Sequence, residues 1–103
     1  MTMAALQILI GLIIGKIEKV HDYVQIVFSD STTLSIFNNY VYDGGSVLDI
    51  EGKMVRSVAE SNSSVIILFE SGESLSIGLD DDDYNGPEAM VLSQEGKSPV
   101  VWN

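Results

Sequence analysis

Two groups of side chains hold most of the chemistry open to this chain. One is His21, the only histidine, with its neighbours Asp22 and Tyr23; the other is the run Asp80, Asp81, Asp82 and Asp83. A histidine beside an aspartate can serve as an oriented base, but the fold must bring it a nucleophile from elsewhere. His21 and Asp22 fall between two alternating apolar runs, where a chain reversal belongs, so a solvated turn histidine is the favoured reading. No G-x-S-x-G, P-loop, H-E-x-x-H or dinucleotide-binding pattern occurs, and no catalytic role is expected.

The aspartates could in principle hold a hard cation, which takes clustered oxygen ligands. In an extended segment, however, neighbouring side chains point to opposite faces, and the alternating D-x-D spacing with a distal Glu is missing. Neither a metal nor another cofactor is expected. Four adjacent like charges repel one another, and cationic groups brought against them would reverse the sign of that energy. The run therefore reads as a docking surface. A second acidic and aromatic segment runs from Asn38 to Asp43 and contains Tyr40 and Tyr42. Tyrosine supplies much of the contact area of protein interfaces. Asp80, Asp81, Asp82, Asp83, Tyr84, Tyr40, Tyr42 and Asp43 together form the expected partner-binding set. The competing reading makes a tyrosine such as Tyr40 an ordinary strand-edge core residue.

These residues are positioned by a repeat. The segment from Val24 to Ile36 aligns without gaps on the segment from Val65 to Ile77, with identities at Val24/Val65, Ile26/Ile67, Phe28/Phe69, Leu34/Leu75, Ser35/Ser76 and Ile36/Ile77. Upstream, Gly15-Lys16-Ile17 aligns on Gly52-Lys53-Met54 if the second copy has a longer connection through residues 60 to 64. Each copy has the two-residue period of strands separated by short polar turns. Strands are expected at 15–21, 23–29 and 32–37, and again at 52–59, 64–70 and 73–79. Val24, Ile26, Phe28, Leu34 and Ile36 share one face, and Val65, Ile67, Phe69, Leu75 and Ile77 its counterpart. Two such faces can cover each other. The expected fold is mainly β: an antiparallel β-sandwich or partly open barrel of two pseudo-repeated three-strand meanders. A C-terminal hairpin (88–93 and 98–102) and a short N-terminal helix from Thr2 to Ile10 complete it. The acidic run and the Asn38–Asp43 segment each follow the third strand of a copy, so they are expected to be counterpart exposed loops. Trp102 is expected in the core or at a sheet edge, where it buries a large apolar area.

Composition narrows the partner. At 103 residues, 46% hydrophobic and 19% charged, the chain suits one domain spanning 1–103 with a single core. Fifteen acids against five bases give a net charge of -10, which repels nucleic-acid phosphates and anionic lipid. A basic protein partner complements it, although solubility alone could also account for it. The chain has no cysteine, which suits a reducing compartment and points to the cytoplasm. The apolar stretch from Ala4 to Ile14 is shorter than the roughly 20 residues a membrane-spanning helix needs. It has no base ahead of it and no A-x-A after it, as a signal peptide would. Neither membrane nor direct nucleic-acid binding is expected.

Several stretches stand out together: Ile14-Gly15-Lys16, the two Phe-containing hairpins, G-P-E-A-M-V-L at residues 86 to 92, and Val100-Val101-Trp102. On these the chain resembles small bacterial β-sandwich proteins that include immunity proteins encoded beside contact-dependent growth inhibition toxins. The resemblance spans nearly the whole chain. It implies a cytoplasmic antidote that binds a cognate toxin domain and occludes its active site. The toxin would be basic, an RNase or DNase, since nuclease sites hold phosphate. The alternative is a non-catalytic structural module that homodimerises through an open sheet edge.

Overall fold

A computed structural model describes residues 3–103, with side chains from residue 5 onward. Alternation of apolar and polar residues builds two antiparallel sheets. Strands β1 (Ile14–Val20), β2 (Tyr23–Phe28) and β3 (Thr33–Ile36) form the first meander. Strands β5 (Val55–Glu60), β6 (Ser64–Phe69) and β7 (Ser74–Gly78) form the second. One strand from elsewhere then covers the third strand of each meander. Strand β4 (Tyr40–Tyr42) pairs with β7, and β8 (Met90–Ser93) pairs with β3 and carries β9 (Val100–Trp102) outside it. The sheets are thus β1-β2-β3-β8-β9 and β4-β7-β6-β5.

The inward residues of both sheets make one core. Val24, Ile26, Leu34 and Ile36 meet Val65, Ile67, Phe69, Leu75 and Ile77, all at most 1% exposed. Burying side chains of this size contributes about 1.5–3 kcal/mol each, which is why the two apolar faces decide the arrangement. The sheets are also stitched together at one corner. Ile13 bridges Met54, flanked by four backbone hydrogen bonds: Gly11 to Val55 (2.8 Å), Val55 to Leu12 (2.9 Å), Ile14 to Lys53 (2.8 Å) and Gly52 to Ile14 (2.8 Å). The result is a sandwich closed on one side, the partly open barrel expected from the pattern.

This corner corrects the upstream alignment. Both copies keep a constant offset of 41 residues, so Ile13 matches Met54 and Ile14 matches Val55. Each first strand carries a bulge at the matching place, between Ile14 and Lys16 and between Val55 and Ser57. Gly11 and Gly52, at φ 87 and 88, are counterparts in the left-handed region that only glycine enters cheaply. Even the single-turn 3-10 segments match, Gln7–Leu9 with Val47–Ile50, each burying its last residue (Leu9, Ile50). No longer connection in the second copy is needed; the Gly-Lys matching was a chance similarity.

The N-terminal helix is shorter than expected. It covers Met3–Leu6 and passes through the 3-10 turn at Gln7–Leu9 to an extended Ile10; Thr2 lies outside the described residues. β-branched Ile8 and Ile10 and the positive-φ Gly11 disfavour helix continuation. The C-terminal hairpin forms as expected with slightly shorter strands. No helix among the described residues is long and apolar enough to cross a membrane.

Candidate binding surface

The repeat holds up to Gly78 and then breaks. In the first copy the chain passes from β3 through Phe37, Asn38 and Asn39 directly into β4. In the second, residues 79–89 intervene before β8, which is the structural counterpart of β4: Tyr40, Val41 and Tyr42 face Ile77, Ser76 and Leu75 as Met90, Val91 and Leu92 face Ile36, Ser35 and Leu34. The aspartate run lies in this inserted segment. The Asn38–Asp43 stretch is therefore not the counterpart loop that was expected. It is largely strand, because β7 has an open edge that Tyr40–Tyr42 can pair with, and a paired backbone is better satisfied than a free one.

Asp81–Asp83 form one 3-10 turn capped by Asp80. The Asp80 side chain accepts from the Asp83 amide, and the Asp83 carboxylate accepts from the Asp80 amide (3.3 Å). The run is thus not extended; its carboxylates compete for local amides, as aspartates at a helix start do. Two contacts dock the turn on the second sheet. The Asn39 amide donates to the Asp83 carbonyl (2.9 Å), and the Asp83 carboxylate lies over Gly78, where a Cβ would collide with it. Asp80, Asp81 and Asp82 are exposed and Asp83 half-buried. Among the described residues the ion pairs are Lys16–Glu18 (2.8 Å) and Lys53–Glu73 (3.1 Å), so no cation bridges the run. No group of residues that could hold a metal ion occurs among the described residues.

Tyr84 follows the turn, half-buried, and its hydroxyl donates to the Asn103 carbonyl (2.8 Å), tying the insertion to the C-terminus. Tyr40, half-buried at the start of β4, is linked to the aspartate turn through Asn39. Asp80–Asp83, Tyr84 and Tyr40 therefore share one end of the sandwich. Tyr42 and Asp43 do not lie at that end with them. Tyr42 is 9% exposed, its ring edge-on to Phe69 at 6.3 Å and covered by Gly44, where a Cβ would collide with it. Burial raises its hydroxyl pKa. It faces inward because β4 must fill the core above β7 as β8 does above β3. Asp43, at the far end of β4, accepts from the Ser74 amide (2.8 Å) and hydroxyl (3.2 Å); it fastens β4 to β7.

Beside Tyr40 opens a cleft of about 650 Å³, walled by the β1–β2 turn (Lys19, His21, Asp22, Tyr23) and by Asn38, Asn39 and Asn85. His21 adopts φ 50 in that turn. No serine, threonine or cysteine lines the cleft; the hydroxyls among its lining residues are those of Tyr23 and Tyr40. Asn38 at its floor is 2% exposed; its Nδ2 donates to the Gly78 carbonyl (2.7 Å), while its Oδ1 is buried without a donor among the described residues. Sequence reasoning passed over Asn38, since an Asn between a strand and an acidic segment reads as loop. No protein-family model, curated protein or solved structure matches this chain.

Proposed function

We propose that this chain is a cytoplasmic immunity protein. It binds a basic toxin domain, a nuclease, through the end of the sandwich that carries Asp80–Asp83, Tyr84 and Tyr40. The carrying observation is the unbridged aspartate turn: four adjacent carboxylates on a 3-10 turn whose first and last members, Asp80 and Asp83, cap each other's amides, on a chain of net charge -10, with no cation against them among the described residues. A preformed acidic feature steers a cationic partner during encounter, then forms charge-assisted hydrogen bonds as water leaves. Tyr84 and Tyr40 offer aromatic area beside it, the pairing of anchor and rim that interfaces use. A nuclease site holds phosphate through basic groups, and an acidic turn competes for the same groups.

The test begins with the reading frames next to the gene. A toxin-domain product encoded there is purified and assayed for nuclease activity with and without this chain. Stoichiometric inhibition is the expected result, with an association rate that falls as salt rises. The variant Asp80→Asn, Asp81→Asn, Asp82→Asn and Asp83→Asn keeps hydrogen-bond acceptors for the turn, so its stability stays within about 0.5 kcal/mol, while its association slows. Unchanged affinity in that variant moves the interface elsewhere; a chain that never inhibits the neighbouring product removes the immunity reading.

A further inference from the structure

The duplication leaves one position of the fold unfilled. In the first sheet β8 carries β9 on its outer edge, with Met90, Val91 and Leu92 opposite Trp102, Val101 and Val100. In the second sheet the counterpart strand, β4, has no strand outside it among the described residues. Asn39 and Asp43 bond toward β7, through the Gly78 amide to the Asn39 carbonyl and the Asp43 amide to the Ser74 carbonyl. In an antiparallel ladder the bonding direction alternates. The amides and carbonyls of Tyr40 and Tyr42 therefore point to the open edge, and among the described residues no segment outside the sheet bonds them.

The side-chain space repeats as well. Trp102 of β9 sits in a cleft with Glu60, Asn62 and Leu79, its indole N–H donating to Glu60 Oε2 at 2.9 Å. At the offset of 41 residues these three correspond to Lys19, His21 and Asn38, which line the cleft beside Tyr40. That cleft is where a residue equivalent to Trp102 would lie, and the buried Asn38 Oδ1 borders it without a donor.

The other edges are protected in the ways natural sheets use. β1 carries Lys16, Glu18, Lys19 and a bulge, β5 carries Arg56, Glu60 and a bulge, and Pro99 precedes β9. β4 is Tyr-Val-Tyr, with no charge, bulge or proline, and Val41 on its outer face is 69% exposed. Asp43 at one end and Asp81–Asp83 at the other bracket it with negative charge.

We infer that β4 is a docking edge: an extended segment of the basic partner pairs antiparallel with Tyr40–Tyr42 as a fifth strand of the second sheet. It places a large aromatic side chain in the cleft beside Lys19 and Asn38, and flanking basic residues against Asp43 and Asp81–Asp83. Strand addition of this kind draws affinity from the main chain and selectivity from the pocket. The proposal rests on the binding reading above for the partner's charge, while the strand pairing stands on the duplication alone.

The probe is a synthetic peptide carrying Val-Val-Trp flanked by lysines, added to the full chain and followed by amide hydrogen exchange and NMR. Saturable protection of the Tyr40 and Tyr42 amides, with shifts at the Asn38 side-chain amide, is the expected result. N-methylation of the peptide at its first Val and its Trp, the positions that bond in the β8–β9 template, abolishes that protection. Equal protection by the N-methylated peptide, or shifts confined to Asp81–Asp83, overturns strand pairing. A glutamate-flanked peptide that protects equally well leaves the pairing in place and removes the basic partner. Protection of these amides that grows with protein concentration and no peptide gives the edge to a second copy and overturns the proposal.

Discussion

Ser31 and Gly72 occupy the same place in the two copies, the turn between the second and third strand of each meander. Both have positive φ, 73 and 101, and both donate their amide to the preceding phenylalanine carbonyl at 2.9 Å, Phe28 in one copy and Phe69 in the other. The left-handed conformation costs a residue with a Cβ roughly 1–2 kcal/mol that glycine does not lose. Ser31 is exposed, and its Oγ makes no hydrogen bond among the described residues that would offset this. Ser31→Gly removes the strain but loosens the unfolded chain by about 0.5–1 kcal/mol, leaving a net gain of about 0.5–1 kcal/mol. Gly72→Ser runs the exchange in reverse and loses about the same amount. For a chain of this size that is a rise or fall in Tm of roughly 2–8 °C, readable by thermal and urea unfolding, and the double variant should return near the parent since the sites share no partner. A destabilised Ser31→Gly together with an unaffected Gly72→Ser would refute the equivalence of the two turns.

Phe69→Ala, which empties a fully buried site at the centre of the core, should cost about 3–5 kcal/mol in urea unfolding. Trp102→Phe takes the indole donor from Glu60 Oε2 and should cost about 1–3 kcal/mol, with β9 amides exchanging faster while β5–β7 amides stay protected. The Asp30 carboxyl is held below the usual range by the Thr32 hydroxyl and amide, and Glu73 by the Ser71 hydroxyl and then the Lys53 ammonium. Their stabilisation is full above about pH 4 and lost as pH falls through the lowered folded values, so Asp30→Asn and Glu73→Gln should each flatten the acid limb of stability against pH. Burial raises the pKa of Tyr42, so its contribution is full below about pH 10 and lost as pH rises further; Tyr42→Phe should unfold at higher pH than the parent.

Strand order along each meander and the inward residues were legible from Val24, Ile26, Phe28 and their counterparts, because a period of two states which face a side chain takes. The helix end and the Gly-Lys alignment were misread where only backbone geometry decides: Gly11 and Gly52 match by their φ angles and shared hydrogen bonds, and sequence weighs a glycine by its letter. The acidic run was visible as charge, but its capped turn depends on amides of its own loop and on Asn39, a distant neighbour in sequence.

Residue order alone thus settles local matters: the mainly β class, the duplication, the two faces of the core and the net charge of -10. Tertiary structure decided what depends on which edges meet. It put Tyr42 in the core and Asp43 against Ser74, gathered Asp80–Asp83, Tyr84 and Tyr40 at one end, and left β4 open where β8 is covered. The reason is that an edge is satisfied by whichever strand reaches it. Both closing strands cross to the opposite sheet, β4 onto β7 and β8 onto β3, and the longer segment 79–89 ahead of β8 is what carries the aspartates to the surface.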